Sequence, residues 1–129
     1  MAGGLDILIV GIAGESLVHI APAERLRALF GETSDEESLG EFSSLAEDPT
    51  ANPRIFYLAG EHMLGSQVGA GLGYVIFEGN NNAQPRKLDE RVFRRIPELM
   101  QKFIIEVEAK GLVIPHDRVG VYALNVYDT

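Results

Sequence analysis

Three segments of this chain, residues 5–12 (LDILIVGI), 55–58 (IFYL) and 119–127 (VGVYALNVY), carry apolar side chains at odd and even positions alike. Successive side chains of a strand point to opposite faces, so a sheet with one wet face alternates apolar with polar residues. These segments do not alternate, and the sheet they form needs cover on both sides. The helices legible elsewhere supply one side. The economical cover for the other is a second copy of the chain, which predicts a homo-oligomer joined through the sheet. The competing solution is that Leu17–Ile20 and the glycine-rich stretch 60–73 fold over that face.

Around these segments the periodicity orders the chain. Residues 5–12 read as a buried strand ending at Gly11 and Gly14. Leu17–Ile20 is either a short hairpin strand or the approach to a helix that Pro22 opens at its first turn. Leu26, Leu29 and Phe30 repeat at helical spacing before Gly31, and Ser34 with Glu37 forms a capping-box pattern for a second short helix through Leu39, Phe42 and Leu45. Residues 54–59 and 74–78 are β-rich, and the five glycines of 60–73 between them form a mobile loop or strand continuation with bulges. Leu88, Val92, Ile96, Leu99, Phe103 and Val107 lay one apolar stripe along a long helix closed by Gly111. Pro97 lies inside it and predicts a kink or restart near Ile96, because an interior proline costs about 3 kcal/mol. The order is β-α-β-β-α-β: an α+β, two-layer split βαβ sandwich with helices on one face of a four- to five-stranded sheet. At 129 residues this is a single domain, 1–129.

Composition removes several function classes. The chain has no cysteine, so disulfides, thiol nucleophiles and zinc-thiolate sites are excluded. No apolar run approaches the ~18 residues of a membrane span, and the N-terminal stretch lacks the basic region of a secretory signal, so a cytoplasmic location is expected. The net charge is −8, and the seven acids between Glu32 and Asp48, with no Lys or Arg among them, account for most of it. Residues 84–103 reverse the balance with six cations against three acids. A broad nucleic-acid surface is disfavoured, because counterion release needs clustered cations without a competing acidic run.

Most chemical motifs are missing. Gly69, Gly71 and Gly73 precede a strand, so they cannot set a pyrophosphate on a helix N-terminus. The segment from Gly11 to Ser16 follows a strand but has no lysine, and reads as a tight turn rather than a phosphate loop. Gly65-Ser66-Gln67-Val68-Gly69 lacks the spacing of a nucleophile elbow. None of His19, His62 and His116 has a second histidine within four residues, so no metal site and no cofactor are expected. His62, beside Glu61, is the candidate for acid-base chemistry near neutral pH. Arg86 and Arg118 fall near sheet ends, where a guanidinium offers a bidentate fork to a carboxylate. Tyr57 and Tyr122 are candidate ligand-binding aromatics, more readily read as core or interface residues.

The C-terminal third combines Pro85-Arg86-Lys87, a long helix, the run from Ile114 through Pro115, His116, Asp117 and Arg118 to Val121, and the closing Tyr127-Asp128. In this it resembles the second βαβ half of the tautomerase superfamily, which includes macrophage migration inhibitory factor and malonate semialdehyde decarboxylase. The resemblance implies a trimer with strands lining a barrel, and keto- or carboxylic-acid ligands held by arginines, with Arg86 at the matching loop position. Those enzymes use an N-terminal proline as base. Here the second residue is Ala2, and no residue takes that role.

Two functions from different classes are expected. The first is a tautomerase-like protein binding a small organic acid at a subunit interface through Arg86, Arg118, Tyr57 and Tyr122, with His62 as acid or base. The second is a non-enzymatic interaction protein, of immunity or regulatory type, docking a basic partner through Asp35, Glu36, Glu37 and Glu41.

Overall fold

The computed structural model describes residues 4–33, 45, 48–58, 70–80 and 88–127. Strand β1 (Gly4–Ala13) is the predicted apolar run. Helix α1 (Glu15–Val18) and helix α2 (Ala23–Phe30) follow. A two-residue strand β2 (Glu32–Thr33) precedes β3 (Phe56–Leu58) and β4 (Gly71–Asn80). Helix α3 (Glu90–Ala109) and a 3-10 turn (His116–Arg118) lead into β5 (Gly120–Tyr127).

The fold is α+β, with an open sheet in the order β2-β3-β4-β1-β5. β1 pairs antiparallel with β4 and with β5, β3 pairs antiparallel with β4, and the short β2 runs parallel to β3. β1 and β3 therefore flank β4, and β4 and β5 flank β1, with a helix in each connection.

Alternation along the strands sorts the apolar residues into two clusters. Val10, Ile12, Tyr57, Leu72, Tyr74 and Ile76 face the helices and pack with Leu17, Leu26, Leu99, Phe103 and Val107. Ile7, Ile9, Phe56, Leu58, Val75 and Leu124 form a second cluster on the other face. Full burial of a Leu, Val or Phe side chain is worth about 1.5–3 kcal/mol, so the α3 stripe is the main tie between helix and sheet. The second cluster changes one premise. Ile7, Ile9, Leu58 and Val75 are no more than 3% exposed within the single chain, so this face is already shielded without a second copy.

The glycines explain how β1 and β4 come so close. Gly11 and Gly73 are register partners. A Cβ on Gly11 would lie 2.0 Å from the Leu72 carbonyl oxygen, and one on Gly73 would lie 2.3 Å from that of Val10. A Cβ on Gly71 would instead meet side-chain ends, Leu124 Cδ1 at 2.4 Å and Ile9 Cδ1 at 2.8 Å. The C-terminal part of the glycine-rich stretch is thus strand, the second of the two alternatives its composition allows, and the pairing shifts register between Leu8 and Ile9. Residues 60–69 lie outside the described residues.

In two places the structure removes one of the alternatives the sequence leaves open. Leu17–Ile20 forms no strand: Leu17 and Val18 belong to α1, and Leu17 is buried under the helices. Nor does α3 restart at Ile96. It runs from Glu90 to Ala109 through Pro97. Proline deprives the Phe93 carbonyl of its helical donor, but Pro97 and Phe93 are both exposed, and water can satisfy that oxygen. Asp89 caps the helix by accepting from the Arg91 N–H at 2.8 Å. Gly111, at φ 86°, follows its last turn. The predicted helix from Ser34 lies outside the described residues, apart from Leu45, which is helical and buried.

Arg95 ties an irregular segment to α3. Its Nη1 donates to the carbonyls of Pro49 and Ala51 at 2.8 and 2.7 Å, and Nη2 lies 3.2 Å from Glu98 Oε1. Lys102 Nζ donates to Asn52 Oδ1 on the same side.

Candidate functional site

The antiparallel pairing of β1 with β5 sets Gly11 against Gly120, so the end of one strand and the start of the other lie together. The segment leaving β1 therefore meets the segment entering β5. Gly14 turns the chain at φ 72° and donates its N–H to the Ala70 carbonyl at 2.9 Å, which delivers Glu15 and Ser16 on α1 and His19 at its C-terminal cap. The 3-10 turn, closed by the Arg118 N–H on the Pro115 carbonyl at 3.0 Å, delivers Pro115 and Arg118. Glu15, Ser16, His19, Pro115 and Arg118 line one cleft of about 320 Å³.

Its lining mixes one guanidinium, one carboxylate, one imidazole and one hydroxyl. Among the described residues the Arg118 guanidinium has no carboxylate partner, whereas Arg91, Arg94 and Arg95 each hold one on α3. Arg118 is exposed and free to form a fork to an anion. His19 and Ser16 add donors, and Glu15 adds an acceptor for a hydroxyl or ammonium group on the same ligand.

The structure brings together two residues singled out from the sequence. Tyr122 donates its hydroxyl to the Arg118 carbonyl, so the tyrosine fixes the turn that carries the arginine. Its ring packs against the second cluster. Tyr57 is elsewhere. It is 1% exposed in the helix-side cluster, on a strand three positions from β5, and burial pushes its phenol pKa up against the opposing charge of Arg27. His62, Arg86, Asp35, Glu36, Glu37 and Glu41 lie outside the described residues.

Sequence reasoning missed His19 and Ser16. The signal for them was the tight turn after the first strand, which becomes informative only once β1 is known to pair with β5. His116 is engaged with Glu108, Nε2 to Oε2 at 3.0 Å. A second polar group, buried between β4 and α3, was also missed. Tyr74 is fully buried, its ring lies edge-on to Phe103, and its hydroxyl has no hydrogen-bond partner. Desolvation pushes the phenol pKa well up, and the Glu106 carboxylate, near but not in bonding geometry, pushes the same way.

Among the described residues no group of His, Asp or Glu could hold a metal ion, and no helix is long and apolar enough to cross a membrane. Comparison with family models, curated proteins and solved structures finds no match to this chain.

Proposed function

We propose that this protein binds a small organic acid in the cleft between α1 and the turn before β5. The observation that carries this is the Arg118 guanidinium, unpaired among the described residues and set in a cleft of about 320 Å³ with His19 and Ser16. The mixed lining favours a carboxylate that bears a hydroxyl or amino group, with the carboxylate on Arg118 and the second group on Glu15. The arrangement supports binding, and it assigns no reaction.

We read the topology as the split βαβ sandwich, because each helical connection joins strands that flank a third. The likeness to the tautomerase superfamily is kept for ligand class alone. An intersubunit site on the sheet face draws no support from a face buried within one chain, so the ligand is placed on a single protomer.

Calorimetric titration with a panel of small hydroxy-, amino- and ketocarboxylates tests the reading. Binding by the wild type that Arg118→Ala abolishes, with the fold unchanged by circular dichroism, is the expected result. A panel without a single binder, or binding indifferent to Arg118→Ala, would refute it.

A further inference from the structure

The described histidines, His19 and His116, are placed differently. His116 is engaged with Glu108, Nε2 to Oε2 at 3.0 Å. His19, at the C-terminal cap of α1, is exposed, lines the cleft with Arg118, and has no hydrogen-bond partner among the described residues. Histidine is the side chain that ordinarily changes charge between pH 5 and 8. His19 is therefore the group of this cleft that can titrate near neutrality.

The charges around it oppose one another. Glu15 lies four residues earlier, and the αR backbone of His19 continues the helical turn, so the carboxylate falls on the same face and favours the imidazolium. Arg118 enters the cleft from the 3-10 turn and disfavours it. Among the described residues, β1, α2 and α3 contribute no side chain to the lining, and His116 and Asp117 of the turn lie outside it.

We infer, on the reading of the cleft as a carboxylate site, that His19 couples ligand binding to protonation. A carboxylate seated on Arg118 neutralises the one charge that opposes the imidazolium and adds a second that favours it. The His19 ring then takes up a proton from the buffer as the ligand binds. By linkage, affinity rises as pH falls through the histidine range. A close opposite charge moves a protonation equilibrium about tenfold or more, and the exposed, screened cleft holds the effect to the low end, about tenfold in affinity.

Calorimetry with lactate and with free serine, whose carboxylates stay ionised above pH 5, tests this. The wild type should bind about tenfold more tightly at pH 5.5 than at pH 8. Titrations at pH 6.5 in buffers of different ionisation enthalpy should show uptake of a fraction of one proton per ligand. His19→Gln keeps a polar side chain that does not titrate, and should flatten the pH profile and abolish the uptake while Arg118 still binds. His116→Gln should leave the proton uptake unchanged. If circular dichroism shows His19→Gln to be unfolded, His19→Asn takes its place. Binding that needs Arg118 but has a flat pH profile, releases protons, or keeps its uptake without His19 would overturn the inference and leave the carboxylate site standing. Binding by neither probe, or binding indifferent to Arg118→Ala, would overturn both.

Discussion

The hydroxyl of Tyr122 donates to the backbone carbonyl of Arg118, four residues earlier, across the junction between the 3-10 turn and β5. The bond makes the strand a support for the turn: the ring is held by the second apolar cluster, and the turn places the arginine at the cleft. Tyr122→Phe keeps the ring and removes the bond. We expect a stability loss of about 0.5–1 kcal/mol in urea titrations and carboxylate affinity several-fold weaker by calorimetry. Unchanged affinity would mean that the turn holds Arg118 without help.

Arg95 should matter more to stability than an average surface arginine. Two carbonyls of the 49–51 segment depend on its Nη1, and charge-assisted bonds of this kind are the strong ones. Arg95→Ala is expected to cost about 2–3 kcal/mol in chemical denaturation. Arg95→Lys should recover only part of it, since an ammonium lacks the planar fork.

Tyr74 predicts a substitution that helps. Its hydroxyl is buried without a partner, so Tyr74→Phe removes an uncompensated desolvation and should stabilise the fold by about 1 kcal/mol. The pH dependence follows from the raised pKa. The unfolded phenol ionises near 10.0, while the folded one stays neutral to higher pH. Stability contributed by the neutral phenol is complete below pH 10 and declines as pH rises beyond it. Thermal melts between pH 8 and pH 11 should therefore show an alkaline decline that is shallower in Tyr74→Phe. Equal slopes would exclude Tyr74 as its source.

The α3 cap has the opposite sign. The Arg91 guanidinium, and then its backbone N–H, hold the Asp89 carboxyl below its ordinary value of 3.8. The cap's contribution is present above that value and is lost as pH falls through the depressed pKa. Asp89→Ala should lower the melting temperature by a few degrees at pH 7, and the gap from wild type should close in strong acid. A gap that persists there would mean the carboxylate charge is not what the cap uses.

How much of the fold is legible in the sequence depends on the physics of each signal. β1, β5 and α3 lie within a residue or two of their predicted bounds, because an apolar run or a 3.6-residue stripe is a local property. The two buried faces are legible for the same reason. Their cover is not: whether one chain or two shields Ile9 and Leu58 depends on residues distant in sequence. Leu17 has the composition of a strand residue, but the turn at Gly14 leaves room for only a helical turn before Pro22. The intrinsic cost of Pro97 points to a break, and its exposed position in α3 lets water offset that cost. The cleft depends on the pairing of β1 with β5, so residue type alone singles out Arg118 and passes over His19 beside it.

The contact of Gly11 with Gly73 leaves no side-chain layer between two central strands, and it divides the glycines into two kinds. A saturation-mutagenesis map should show columns 11 and 73 intolerant of every replacement, alanine included, and column 71, where an added Cβ meets only the ends of the Leu124 and Ile9 side chains, less strict. Column 120, where an added Cβ meets nothing within 4 Å, should accept small residues freely. One glycine type would thus read out, from selection alone, where this backbone touches itself.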